Sequence, residues 1–210
     1  MSTAPTMRVL SVARGQCAPL AHAGVRPGTD APVLSAIRKL PCSTLAQPLA
    51  IAITPLGVSG DEQADLEKHG GPLKAVYAYP AEHYGWWETT RADAGVSAGA
   101  PLAYGELGEN LTLEGLLEDA LWVGDTLLIG NCILRVESPR RPCYKFNAVL
   151  GYRQAARDLL VSGRSGFYLS VQQPGEIRAG DTVCLTPGPR QTPLGEINRQ
   201  RFAERRHELF

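Results

Sequence analysis

The sequence predicts a mainly β protein, an antiparallel β-barrel with a few peripheral helices and a short C-terminal helix. Short runs rich in β-branched and aliphatic residues recur between glycines and prolines, which is typical of sheets built from many short strands. Two of these runs flank Gly130-Asn131 and predict a hairpin with a tight turn. Because few strands alternate with long helices, a doubly wound parallel sheet is not expected.

Local signals place the individual elements. Strands are predicted at 8–13, 49–54, 74–79, 126–129, 133–137, 168–171 and 182–186, and helices at 81–88, 152–160 and 192–208. Pro80 suits the start of the first helix, Gly163 follows the end of the second, and Thr192 is a suitable cap for the third. Glycine and proline accumulate at 187–195. We therefore expect a main domain over 1–188 and a C-terminal helical appendage over 189–210.

Composition and charge narrow the function classes. The 21 basic residues balance the 21 acidic ones, so global charge indicates neither a nucleic-acid partner nor a membrane partner. The first seven residues have neither the basic region nor the apolar core of a signal peptide. Five cysteines, odd in number and without a Cys-x-x-Cys pair, argue against a disulfide framework and a zinc ribbon. We expect a cytoplasmic protein with reduced thiols.

Cys143 lies in a segment that packing alone does not explain, Ser138-Pro139-Arg140-Arg141-Pro142-Cys143-Tyr144-Lys145. The two prolines stiffen the backbone and remove amide donors. The cations Arg140, Arg141 and Lys145 surround the thiol, and an electropositive setting favours the thiolate, which attacks electrophiles or binds metal. Cys143 is therefore the first candidate for catalysis and for metal ligation.

A second candidate segment contains a histidine followed by two glycines. Gly70 and Gly71 would let the backbone approach a ligand closely. His69 and Lys74 flank them at the start of a predicted strand, where binding residues often lie. The alternative is a glycine-rich turn that carries a surface histidine, and we favour the binding role.

Two further polar groups have weaker signals. Asp61, Glu62 and Asp65 with His69 offer ligand types that suit a divalent cation, but a single histidine without a spaced partner disfavours a dedicated metal site. Glu109 and Asn110 follow Gly108 and could hydrogen-bond a heterocycle, because an amide both donates and accepts. From composition alone, we favour for the second pair a turn that enters a strand.

Taken together, these segments resemble the MOSC domain family, named for the C-terminal part of molybdenum cofactor sulfurase, in its YiiM-like branch. The resemblance runs in family order over about residues 57–186. The matching stretches are GDEQAD at 60–65, KHGGP at 68–72, YPAEHY at 79–84, GENL at 108–111, SPRRPCYK at 138–145 and GRSGFY at 163–168, followed by Gly180-Asp181. The combination of Lys-His-Gly-Gly with Pro-Arg-x-Pro-Cys is specific, although neither half is specific alone.

The resemblance implies a molybdenum cofactor, in which a pterin dithiolene holds molybdenum and the Cys143 thiolate ligates the metal. It implies catalytic roles for Cys143 and His69. The implied cofactor-binding residues are Asp61, Lys68, His69, Gly70, Gly71, Lys74, Glu109, Asn110, Arg140, Arg141 and Lys145. Any of Arg140, Arg141 and Lys145 could hold the pterin phosphate, and the sequence leaves that choice open.

By the same resemblance, the reaction is the two-electron reduction of N-hydroxylated compounds, such as hydroxylaminopurines and amidoximes, with an electron-donor reductase as partner. The resemblance leaves room for a homodimer. Members of this branch carry a C-terminal helical module, and we expect it here to be shortened to about one helix.

Three other functions fit parts of the pattern. Cys143 could serve a non-catalytic carrier of molybdenum cofactor or of persulfide sulfur, which needs the same residues without substrate turnover. A hydrolase could pair Cys143 with His69 or use the acidic loop. A flavin-binding barrel is a more distant alternative.

Overall fold

The computed structural model describes residues 6–21, 31–64, 70–96 and 101–209, with side chains up to residue 204. Within these residues the chain forms short strands and four α-helices. The strands are β1 Arg8–Arg14, β2 Ala18–Pro19, β3 Leu34–Ser35, β4 Leu40–Thr44, β5 Ile51–Thr54, β6 Gly57–Val58, β7 Val76–Pro80, β8 Leu111–Glu114, β9 Thr126–Ile129, β10 Cys132–Pro139, β11 Phe167–Gln173, β12 Gly175–Ile177 and β13 Val183–Thr186. The helices are α1 Tyr84–Asp93, α2 Tyr144–Leu150, α3 Ala155–Ser162 and α4 Leu194–Leu209, and 3-10 turns lie at Pro72–Lys74, Ala81–His83 and Glu118–Ala120.

The mainly β class is confirmed, but the prediction of an antiparallel barrel is wrong in two respects. Eight strands form one curled sheet in the order β13-β9-β10-β11-β7-β8-β1-β4. The pair β7–β8 is parallel, so the sheet is mixed, because the chain between these strands crosses over through α1. The sheet also stays open as a half-barrel. The start of β1 reaches residue 182 through a single bridge, while β4 and β13 remain edges.

Two hydrophobic clusters stabilise this arrangement. The larger one packs on one face of the curled sheet and consists mainly of aliphatic side chains such as Val9, Leu127 and Leu134. The second lies between the outer face and helices α1 to α3 and is aromatic, with Trp87 and Phe146 fully buried. Residues of β7 contribute to both clusters, since successive side chains of a strand point to opposite faces.

The helices differ from the sequence prediction next to Cys143. Helix α2 begins directly after Cys143, where the sequence predicted no helix. It ends at Gly151, which adopts a left-handed conformation with φ 81°, and α3 follows after a short turn. The other three helices overlap their predicted ranges, with boundary shifts of a few residues.

Helix α4 packs on the curled sheet. Leu194 is buried in the larger cluster, and the Asn198 amide donates to the Gly163 carbonyl oxygen at 3.1 Å and to Ser165 Oγ at 2.9 Å. The division at residues 188 and 189 stays a prediction. In the described part of the chain, no helix combines the length and the apolar character that crossing a bilayer requires.

Candidate cofactor-binding cleft

Cys143 lies where a strand of the main sheet gives way to a helix. Strand β10 ends at Pro139, which has no amide to continue the ladder, and α2 begins at Tyr144. Between them the chain stays extended, with Cys143 at φ −142° and ψ 158°. The segment predicted as a stiff turn is therefore an extended junction between a strand and a helix, and its half-buried Cys143 lies at the wall of a cleft.

This cleft, which we call the Cys143 cleft, has a cavity volume of ≈ 90 Å³. Its walls come from the segment before β4, the turn after β6, strands β7 and β11, and the junction before α2. The lining residues are Ser35, Ala36, Ile37, Lys39, Asp61, Glu62, Gln63, Ala64, Lys74, Tyr77, Gly108, Asn110, Arg140, Cys143, Lys145 and Tyr168. Cationic side chains outnumber acidic ones by four to two in this set.

The other cysteines lie in settings that do not favour chemistry. Cys132 is buried in the larger cluster, and burial raises the pKa of its thiol to about 11. Burial, followed by the hydrogen bond and charge of Glu62, raises the pKa of Cys17. Cys184 is exposed on the edge strand β13. Among the described residues, Cys143 is the cysteine that lines the cleft.

Arg140 is the fixed cation of the cleft. Its guanidinium is buried, donates to the Leu107 carbonyl oxygen, and lies 4.8 Å from the ring centre of Tyr77 and 5.0 Å from that of Phe146. Burial opposes its charge, but Tyr77, Tyr168 and Cys143 favour it, so the pKa of Arg140 is raised. Arg140 therefore supplies a permanent positive charge near the thiol.

A buried ion pair between Lys39 and Asp61 forms another part of the cleft wall. Lys39 Nζ lies 2.5 Å from Asp61 Oδ1 and 2.6 Å from Oδ2, and both side chains are less than 10% exposed. The Gly15 amide donates to Oδ1 at 2.7 Å, and the Asn110 amide donates to Oδ2 at 2.9 Å. Asn110 Oδ1 in turn accepts from the Tyr77 amide at 3.1 Å. The predicted site residues Asp61 and Asn110 therefore come together, and they hold each other and Lys39 in place.

The glycine pair has a structural explanation. A Cβ on Gly70 would come within 2.3 Å of Gln63 Oε1, so only glycine fits without moving that side chain. The same Oε1 accepts from the Gly71 amide at 2.9 Å, and Gly71 adopts φ 87° before the 3-10 turn that ends at Lys74. Gln63 and Lys74 line the cleft, and the two glycines support that wall from behind.

Glu109 turns away from the cleft. Its Oε1 accepts from the Tyr84 hydroxyl, from the Gly105 amide at 2.7 Å and from Thr112 Oγ1 at 2.9 Å. Its Oε2 is buried without a hydrogen-bond partner among the described residues, and burial raises the pKa of this carboxyl group. The structure thus gives Glu109 a position behind the cleft wall.

The remaining predicted site residues divide into three groups. Lys74 and Lys145 line the cleft, and Lys145 Nζ donates to the Leu34 carbonyl oxygen at 3.3 Å. Arg141 is exposed and does not line the cleft. Lys68 and His69 lie outside the described residues.

The cleft residues that sequence reasoning missed include Lys39, Tyr77 and Tyr168. The two tyrosines belong to predicted strands, and their rings lie 5.3 Å apart across the β7–β11 pair. A signal existed for them, because aromatic residues in paired strands often meet across the sheet. Lys39 had no comparable signal, since its partner Asp61 is 22 residues away.

The side chains of the cleft suit a metal-containing ligand that supplies most of the metal's donor atoms itself. Among residues 6–21, 31–64, 70–96 and 101–209, no three or more His, Cys, Asp or Glu side chains are arranged to hold a metal ion. The acidic-loop cluster proposed from the sequence includes Asp65 and His69, which lie outside these ranges. What the described residues offer is one sulfur atom, four cations and a hydrogen-bonded polar wall.

This fold agrees with what comparison with known proteins shows. The chain belongs to the MOSC domain family, because the model of the MOSC domain matches residues 65–184, more than half of the sequence. The crystal structure of YiiM from Geobacillus stearothermophilus has a TM-score of 0.67 and 30% identity, and the match covers 95% of this chain and 85% of that chain.

Two curated relatives extend the comparison. The protein YiiM of Escherichia coli (strain K12) is 36% identical over 129 residues, which are 61% of this chain and 56% of YiiM. A protein named Reductase from Gibberella moniliformis is 35% identical over 136 residues, which are 63% of this chain and 23% of that protein. The match thus spans about half the length of YiiM and about a quarter of the fungal protein.

Proposed function

We propose that this protein is a molybdenum-cofactor-dependent reductase of N-hydroxylated compounds, such as hydroxylaminopurines and amidoximes. The observation that carries the proposal is the position of Cys143, half-buried in a cleft with four cations around it. A thiolate is a soft donor suited to transition metals, and cations favour the ionised thiol. Membership of the MOSC family and the name of the fungal relative support a reductase.

The chemistry of the cleft fits the implied cofactor. A pterin dithiolene brings two sulfur ligands and an anionic phosphate, so the protein needs to add one soft donor and positive charge. Cys143 offers the donor, and Lys74, Arg140 and Lys145 offer the charge. Arg140 is buried whereas Lys74 and Lys145 are only partly buried, so the two lysines are the more accessible candidates to contact a phosphate.

The chain's own residues would bind and orient the cofactor. The Cys143 sulfur would ligate the metal, and the rings of Tyr77 and Tyr168 would form an apolar wall beside it. Asp61 and Asn110 would position neighbouring groups, since their polar atoms already bond within the protein. When bound, the cofactor supplies the two-electron redox chemistry that no side chain can provide. His69, Lys68, Gly70, Gly71, Glu109 and Arg141 keep the roles that the family resemblance gives them as predictions.

An activity assay tests this function. The wild-type protein, expressed with added molybdate, is expected to reduce benzamidoxime and 6-hydroxylaminopurine with reduced methyl viologen as electron donor. Cys143→Ala should fall to background, whereas Cys184→Ala, which removes an exposed thiol far along the chain, should match wild type. A wild-type protein that reduces neither compound would contradict the proposal.

The same assay separates the alternatives. Protein that contains cofactor but does not turn over substrate with the artificial donor would favour a cofactor carrier or a persulfide carrier at Cys143. Enzymatic activity of protein made in a strain unable to synthesise molybdopterin would not depend on the cofactor and would favour a hydrolase. We further propose an electron-donor protein as the natural source of electrons.

A further inference from the structure

We propose that Lys39 is the catalytic proton donor for cleavage of the N–O bond in this cleft, a role that rests on the proposed reductase function. Two electrons and two protons convert R–NH–OH to R–NH₂ and water. The N–O bond breaks, one N–H bond and one O–H bond form, and the external donor is oxidised. The Lys39 ammonium gives one proton to the departing oxygen and is reprotonated from solvent, which also supplies the second proton to nitrogen.

The position of Lys39 suits this role because Lys39 lines the same cleft as Cys143 and its backbone is closely packed. Gly15 and Gly105 pack directly against Lys39, where a larger residue would not fit. A Cβ on Gly15 would lie 3.2 Å from Lys39 Cγ, and a Cβ on Gly105 would lie 2.8 Å from the Lys39 carbonyl oxygen. The Lys39 amide also donates to the Gly105 carbonyl oxygen at 3.3 Å. Lys39 is therefore held before any ligand binds.

The hydrogen bonds of Lys39 leave a proton for transfer. An ammonium group carries three N–H donors, and in the described part of the chain both contacts of Nζ go to the Asp61 carboxylate. Asp61 is itself held by Gly15 and Asn110, so it orients the ammonium and acts as a positioning residue. Two of the three N–H donors account for the contacts with Asp61, so at least one N–H is available on a residue that lines the cleft.

The charges around Lys39 make it a better acid than an ordinary lysine. Burial lowers the pKa of Lys39 below its ordinary value of 10.5, and Arg140 acts in the same direction. Asp61 and Glu109 oppose this shift without cancelling it. Lys74, Lys145 and Glu62 complete the charged lining of the cleft. Activity needs protonated Lys39, so it should fall as pH rises through this lowered pKa.

The first test is Lys39→Arg, which keeps the positive charge beside Asp61 but cannot release a proton near neutral pH. We expect kcat to fall by about 100-fold or more, the size of a lost general acid, with KM and molybdenum content unchanged. The basic limb of the kcat–pH profile should disappear. Arg38→Met, which removes the exposed neighbouring cation, should match wild type in all these measurements.

The second test is chemical rescue of Lys39→Ala by added primary amines. A proton donor predicts that the rescued rate depends on the pKa of the amine, whereas a purely structural role predicts dependence on amine size alone. In the cofactor-free protein, ¹⁵N NMR should show one lysine Nζ, absent from Lys39→Arg, that titrates below 10.5.

The outcomes separate the two proposals. Wild-type kcat with an unchanged basic limb in Lys39→Arg, or a Lys39 titration at or above 10.5, would overturn the donor role and leave the reductase function standing. Absence of any reduction by wild type would overturn the reductase function, and the donor role with it.

Discussion

Two cavities in the described part of the chain differ in their chemistry, and the larger of the two carries the weaker case for redox chemistry. The second cavity lies among the 3-10 turn Glu118–Ala120, the end of α3 and α4, and its volume is ≈ 370 Å³ against ≈ 90 Å³ for the Cys143 cleft. Both contain a hydrogen-bonded pair of polar side chains with little exposure. In the second cavity His83 Nε2 lies 2.8 Å from Glu118 Oε2, with side chains 11% and 6% exposed.

The difference lies in the charge balance and in the donor atoms. The second cavity sets Arg164 and Arg199 against Glu118 and Asp119, and no cysteine occurs among its described lining residues. Glu118 also accepts from the Gly166 amide at 2.7 Å, so its pair with His83 ties the 3-10 turn to the start of β11. The cleft instead has an excess of cations and a thiol. Our proposal of the Cys143 cleft as the redox site therefore rests on its donor atoms and not on its size.

The largest effect on stability should come from breaking the ion pair of the cleft. In Asp61→Asn, the buried Lys39 ammonium loses its charged partner, while the new amide oxygen can still accept from Gly15. We expect the free energy of unfolding to fall by about 3–5 kcal/mol, measured by urea denaturation. Glu114→Gln breaks the exposed pair with Arg8 and should cost less than about 1 kcal/mol. Equal losses in the two variants would show that the cleft pair is not effectively buried.

A smaller effect is expected in the second cavity. His83→Ala leaves Glu118 Oε2 without its partner and should lower the free energy of unfolding by about 1–3 kcal/mol. Reduction of benzamidoxime per folded molecule should stay at the wild-type level, because His83 lines only the second cavity.

The matched variant is Glu118→Gln, whose amide oxygen can accept one of the two hydrogen bonds and should therefore cost less than His83→Ala. If His83→Ala abolishes reduction while the protein stays folded, the two regions do not differ in function as we infer.

The contrast also shows how far sequence reasoning reaches. The stiff cationic segment predicted a reactive position for Cys143 from local composition. The structure places Cys143 at the wall of the cleft, and its reactivity stays a prediction. Local composition could not distinguish between adjacent residues in the chain. Arg140 is buried beside Tyr77 whereas Arg141 is exposed, and Asn110 lines the cleft whereas Glu109 is buried behind it. Sequence gave both members of each pair the same role, but only the folded backbone decides which side chain faces the cleft.

Long-range contacts explain the remaining errors in site and fold. Lys39 reaches Asp61 because the segment before β4 packs beside the end of β1, a pairing that no local pattern encodes. The mixed, open sheet has a similar origin. Seven strands were predicted from their own residues, whereas β4 and β8 of the main sheet were not. The parallel β7–β8 pair in addition depends on the crossover through α1. Helix α2 has apolar residues at helical spacing, namely Phe146, Val149 and Leu150, and this signal was available.

Molybdenum analysis combined with pterin fluorescence, on wild type and Cys143→Ala expressed with added molybdate, tests the central claim most directly. Because Cys143 is the half-buried thiol of the cationic cleft, we predict stoichiometric molybdenum and pterin in wild type and almost no molybdenum in the variant. Equal molybdenum in the two proteins would contradict ligation of the metal by Cys143.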